Sequence, residues 1–115
     1  MSDPTSLAEV RARIDALDGE LIRLLADRQA LVRHAAAFKA DEQAVRAPGR
    51  VEQVVQAARA RALSAGLSPS VAEAVWRAMI AAFIDLELAE HRAGASPGAD
   101  RARLRRPHPA HPSPG

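Results

Sequence analysis

Apolar residues recur along the first third of the chain in two interleaved rows. Taken in sevens, Leu7, Ile14, Leu21, Arg28 and Ala35 form one row, and Val10, Leu17, Leu24, Leu31 and Phe38 form the other. An a/d alternation sustained over more than four heptads, without Pro and with Gly19 off the stripe, predicts one helix over residues 6–39. About 33 residues at ~1.5 Å rise per residue make that helix ~50 Å long. Its start signals are Asp3-Pro4 and Ser6-Leu7-Ala8-Glu9, the second a capping box ahead of the apolar run. Residues 41–49 are polar and end in Ala47-Pro48-Gly49, a loop by composition.

A second helix is predicted from about residue 50 to residue 65, with Val51, Val54, Val55, Ala58 and Ala62 as its buried side and Gly66 as its C-terminal cap. Ser68-Pro69 supplies an N-cap and a first-turn Pro for a third helix reaching roughly His91. Its apolar face holds Ala72, Trp76, Met79, Ile80, Phe83 and Leu86. From Gly94 onward Pro, Gly, Arg and His dominate without periodicity. The expected division is therefore a helical domain over residues 1–93 and a disordered tail over 94–115. The predicted fold is all-α, a three-helix protomer with one long N-terminal helix. Two shorter helices cannot cover a ~50 Å seam, so a second copy is expected to, as an intertwined homodimer.

Composition narrows the chemistry. Cys is absent, which excludes disulfides, a thiol nucleophile and Cys-based metal sites. Neither a signal-type apolar run nor a stretch approaching the ~20 apolar residues of a membrane span is present, so a soluble, cytoplasmic protein is expected. The net charge of +2 is unevenly spread. Residues 1–91 carry 11 Lys/Arg against 13 Asp/Glu, and residues 92–115 carry 5 Arg against Asp100 alone. The basic excess lies in the tail. A nucleic-acid footprint would need a basic face on the folded part with stacking aromatics, and the sequence offers neither.

One member of the apolar stripe is out of place. Arg28 stands where a Leu is expected, and a charge on such a seam needs a partner. Either it is a site residue or it belongs to a buried structural ion pair, for which Asp27 and Asp18 are candidates. Lys39 lies eleven residues on and, on a continuous helix, returns to nearly the same face ~16 Å away. Two inward-leaning cations at that spacing suit a small dianion. Arg11 lies about 100° around the helix from Arg28 and is placed to reach a pocket in a partner chain rather than its own. Taken alone, Lys39 and Arg11 also read as solvated rim charges. Glu87 extends the face of Trp76, Ile80 and Phe83, either as a carboxylate just past the rim of the core or as a desolvated acid that keeps its proton and donates a hydrogen bond. Arg50 opens the second helix, where acids are the usual choice.

No Ser-His-Asp or Cys-His grouping, glycine-rich phosphate loop or facing pair of carboxylates accompanies these residues. His108 and His111 are too sparse for a metal site, and His34 reads as a surface residue. What remains is a cage of cations with one acid. Such a set suits a unimolecular rearrangement, in which binding and electrostatic complementarity to the transition state supply the rate.

Arg11-Ala-Arg-Ile-Asp-x-Leu-Asp18, Leu24-Leu-Ala-Asp-Arg28, Phe38-Lys39, Val45-Arg-Ala-Pro-Gly-Arg50-Val51 and Ile84-Asp-Leu-Glu87 resemble the all-helical (AroQ-class) chorismate mutase family over about residues 6–92. The resemblance implies an intertwined all-α homodimer with two equivalent pockets and no cofactor. In it, Arg28 would grip one substrate carboxylate and Arg11 of the other subunit the second. Lys39 would hydrogen-bond the ether oxygen whose bond breaks, Glu87 would donate to it from the other side, and Arg50, Val51 and Ile84 would border the pocket. Two departures stand out: many mutases have an acid after the Arg50 position, here Val51, and one near Ala47.

Phe38-Lys39 with Ala47-Pro48-x-Arg50-Val51 is similar to the isochorismate pyruvate lyase branch, which makes salicylate and pyruvate. That branch carries Gln at the Glu87 position, whereas Glu there is a mutase option. The expected activity is therefore the rearrangement of chorismate to prephenate. The lyase is the alternative, followed by a 4-amino-4-deoxychorismate mutase. A non-catalytic helical dimer is disfavoured by the complete set Arg11, Arg28, Lys39 and Arg50.

Overall fold

The computed structural model describes residues 2–94. In chain order the elements are α1 (Leu7–Ala36), α2 (Glu42–Arg46), α3 (Pro48–Ala65) and α4 (Pro69–Gly94). Among the described residues there is no strand. The all-α expectation holds, with three long helices and one short one that the pattern did not announce. The expected tail lies outside the described residues, except that Gly94, expected to begin it, is the last residue of α4.

The helix starts follow the signals in the sequence. Ser6 Oγ accepts from the Glu9 amide at 3.1 Å, and the Glu9 carboxylate reaches back to accept from the Thr5 amide and hydroxyl, both at 2.9 Å. Those bonds from Thr5, backbone first, hold the Glu9 carboxyl below its ordinary range. α3 ends at Gly66, whose φ of 81° is left-handed, and the Leu67 amide bonds the Ala62 carbonyl at 2.8 Å. That 6→1 bond reverses the chain into α4. α3 and α4 then pack antiparallel. Arg77 of α4 clasps Glu52 of α3 at 2.6 and 3.0 Å, and Arg59 of α3 reaches Glu73 of α4 at 2.8 Å. Between them lies the core of Val55, Ala58, Ala62, Ala72, Ile80 and Leu88, completed by Val45 of α2.

Two boundaries differ from the sequence reading. The long helix stops at Ala36 rather than Lys39, because the amides of Ala37, Phe38 and Lys39 bond three residues back, to His34, Ala35 and Ala36. The last turn tightens and unwinds, and Lys39 leaves the helix. The expected loop of residues 41–49 contains α2, capped by Asp41 through a 2.9 Å bond from the Ala44 amide. α3 starts at Pro48, two residues before Arg50, immediately after Ala47, which is left-handed with a φ of 30°. Ala47 both ends α2 and precedes α3, so the short helix and the longer one meet at this left-handed residue.

α1 packs on α4 through its C-terminal half only, running parallel to it. The Arg33–Glu90 ion pair at 2.7 Å and the Arg28 guanidinium over the Phe83 ring at 5.2 Å mark this contact. The helix buries no residue completely. Leu7, Ile14, Leu17, Leu21 and Leu24 all remain at least half exposed, between 50% and 62%. The apolar seam that defines the helix thus has no cover among the described residues. The radius of gyration of 18.5 Å exceeds the ~13 Å of a compact chain of this length, as a protruding ~45 Å helix requires. No helix among the described residues is long and apolar enough to cross a membrane.

Candidate active site

Where α1, the turn after it, α2, the start of α3 and α4 converge, a cavity of about 410 Å³ opens. Four cations line it: Arg28 from α1, Lys39 from the turn, Arg46 from the end of α2 and Arg50 from the first turn of α3. Among the described residues a single carboxylate faces them, Glu87 of α4. The rest of the wall is apolar and includes Val51, Val54, Ile80, Phe83 and Ile84. Among the described residues, no hydroxyl, thiol or imidazole side chain lines it.

Glu87 is 5% exposed, and Lys39 Nζ lies 3.1 and 3.0 Å from its two carboxylate oxygens. The pair joins residues 48 apart in sequence and draws the chain leaving α1 onto α4. Burying a carboxylate this deeply requires such a partner. An ammonium has three N–H donors, so Lys39 keeps one for a ligand while two hold Glu87. Of the two readings of Glu87, the structure excludes the solvated rim.

The remaining three cations have no carboxylate within 4.0 Å among the described residues. Arg28 is half-buried, stacked on Phe83 and unattended by Asp27, whose partner is Arg23 at 3.6 Å. The structural ion pair considered for Arg28 is therefore absent, with Asp18 as well as Asp27. Burial, and after it the like charge of Arg50, pull the Arg28 guanidinium below its usual range. A positively charged group that is desolvated and repelled by its neighbour gains from an anion placed between the two. The pocket thus offers an anion positive charge that no carboxylate among the described residues has neutralised.

Of the residues singled out from sequence, Arg28, Lys39, Arg50, Val51, Ile84 and Glu87 meet at this cavity. Arg11 does not: it is exposed on α1, ~25 Å along the helix from Arg28. The helical-face argument for Arg28 and Lys39 needs correction, since α1 ends before Lys39, and the two meet because the chain turns back rather than because the helix continues. Arg46 was not anticipated. It lies in a segment that reads as loop, and its only local signal is its nearness to Arg50.

A larger cavity, about 530 Å³, lies on the other side of Glu87 and is lined by Arg33, Val45, Glu90 and His91 among others. Its arginine is already committed to Glu90, so it lacks the free positive charge of the first.

Comparison with known families agrees with this geometry. Residues 10–88, well over half of the chain, match the family model described as chorismate mutase type II. No curated protein sequence matches the chain.

Proposed function

The chain belongs to the chorismate mutase type II family, and from that premise we propose that it converts chorismate to prephenate in a pocket shared between two copies. The observation that carries this reading is the convergence of Arg28, Lys39, Arg50 and Glu87 on one largely apolar cavity. In a [3,3] rearrangement the allyl ether C–O bond breaks as a C–C bond forms between the enolpyruvyl carbon and the ring. No atom enters or leaves. Negative charge accumulates on the ether oxygen while the ring becomes electron-poor. A protein speeds this by holding the two ends of the substrate in the folded conformer and by stabilising that oxygen.

The roles follow from position. Arg28, already desolvated and stacked on Phe83, takes one carboxylate bidentately. Lys39 offers its remaining N–H to the ether oxygen, held in place by Glu87. Arg50 supplies positive potential at the wall formed by Val51 and Ile84.

Arg11 completes the site from the partner copy. The bare seam of α1 supports that dimer, and so does a second exposed apolar group around the α3–α4 turn, Leu63, Leu67, Val71 and Val75. Covering the half-exposed seam residues of α1 alone contributes on the order of 5 kcal/mol per protomer. Arg11→Ala and Arg28→Ala proteins, each inactive alone, test the arrangement when unfolded together and refolded. Half of the dimers are then mixed, and each mixed dimer has one intact pocket of two, so about a quarter of wild-type turnover of chorismate returns. No recovery counts against the shared pocket.

A second reading has an observation of its own. Ala47 and Val51 line the cavity, and no carboxylate besides Glu87 does among the described residues. A wall without an acid lacks an acceptor for the chorismate ring hydroxyl, and this favours isochorismate pyruvate lyase activity in the same cage.

A further inference from the structure

Arg46 closes α2 and lines the cavity with Arg28, Lys39 and Arg50. One turn earlier on the same helix stands Glu42, the acid-before-base i, i+4 spacing at which a carboxylate ordinarily captures an arginine. That capture does not occur. Both oxygens of Glu42 are taken by Arg92 of α4, at 2.8 and 3.0 Å. The hydrogen bonds from Arg92 are the largest influence holding the Glu42 carboxyl below its ordinary range, and Arg46 contributes only through space. The next residue, Ala47, turns left-handed into α3, fixing the end of α2 beside the pocket.

We propose that Arg46 is a further substrate-binding residue, which engages a carboxylate of the dianion at the pocket mouth, and that Arg92 keeps it available by occupying Glu42. The proposal takes the identity of the dianion from the mutase reading. Arg46 is exposed and stands away from the breaking bond. Its contact is therefore equal in the bound substrate and the transition state, so it acts on KM rather than kcat. Arg92 touches no substrate; it is a positioning residue.

Steady-state kinetics on chorismate with full-length variants test both halves. Arg46→Ala raises KM about fivefold and leaves kcat within about twofold, and its KM depends less on ionic strength than that of wild type. Arg92→Leu frees Glu42 to turn to Arg46 and raises KM about threefold. Adding Arg92→Leu to Arg46→Ala has no further effect. Glu42→Gln in the Arg92→Leu background restores KM, although the ion pair between α2 and α4 is still missing; a merely structural role for that pair leaves KM high. An unchanged KM in Arg46→Ala overturns the proposal. Multiplying effects of Arg46→Ala and Arg92→Leu, or a Glu42→Gln change that restores nothing, overturn the part assigned to Arg92. Failure of the functional reading looks different: wild-type protein turns over neither chorismate nor isochorismate. The same variants are then titrated calorimetrically with inorganic sulfate, where weaker binding by Arg46→Ala supports the role of Arg46 in anion capture and equal binding overturns it.

Discussion

Replacing Arg28 by Ala separates catalysis from folding, because the structure gives this residue little to hold up. It forms no ion pair among the described residues, and its one specific partner is the Phe83 ring at 5.2 Å. A cation–π contact at a partly exposed site contributes ~0.5–1 kcal/mol. Removing the charge also relieves repulsion from Arg50, so the net loss of stability is at most ~1 kcal/mol, a fall in Tm of about 4–8 °C. Catalysis stands otherwise. Each charge-assisted hydrogen bond in a water-poor site contributes ~1.5–3 kcal/mol, so a bidentate grip amounts to ~4 kcal/mol, or about a thousandfold in kcat/KM. Arg28→Lys keeps the charge over Phe83 and loses the fork; its activity should fall between the two. Following the loss of chorismate absorbance gives kcat/KM, and thermal melting by circular dichroism gives Tm. An Arg28→Ala protein within tenfold of wild type refutes the role of Arg28. A collapse in Tm makes the residue structural.

Glu87 holds Lys39 Nζ through both carboxylate oxygens, at 3.1 and 3.0 Å, so Glu87→Ala should release the ammonium and lower kcat/KM about a hundredfold. Glu87→Gln, which keeps the shape and one acceptor oxygen, should lose less; a Glu87→Ala protein as active as wild type would leave Glu87 no part in the site. Acid stability should depend on Arg77. Its hydrogen bonds, the largest influence on both groups, hold the Glu52 and Glu73 carboxyls below their ordinary 4.5. Groups depressed in this way stabilise the fold above that value, and the contribution disappears as pH falls through their lowered folded values. Arg77→Leu should therefore lower Tm at neutral pH and leave it unchanged once both carboxylates are protonated; an equal loss at all pH values contradicts this. Gly66→Ala tests the turn between α3 and α4. A Cβ there meets nothing within 4 Å, so only the left-handed φ of 81° opposes it, and chemical denaturation should show a loss of ~1–2 kcal/mol.

The parts of the fold that local rules govern were legible in the sequence. Ser6 and Glu9, Gly66, and the Ser68-Pro69 pair mark their helix ends by residue type, and the structure uses all three. The end of α1 was not legible, since Phe38 and Lys39 continue the heptad although the backbone has already tightened after Ala36. α2, at five residues, is shorter than any period can register, and its one signal was the capping residue Asp41. Ala47 was hidden for the opposite reason: alanine ordinarily avoids the left-handed region it adopts. In the site, the misfit of Arg28 on the stripe and of Glu87 on an apolar face pointed to the cavity. The Lys39–Glu87 bond and the freeing of Arg46 by Arg92 depend on contacts between residues 48 and 50 apart, respectively. No local pattern encodes such contacts.

The most direct measurement is a side-by-side incubation of the purified protein with chorismate and with isochorismate, the products separated by chromatography. Prephenate from chorismate, with little turnover of isochorismate, is the expected result. Salicylate and pyruvate from isochorismate at clearly higher efficiency would contradict it, and would mean that the acid-free wall of Ala47 and Val51 selects the substrate.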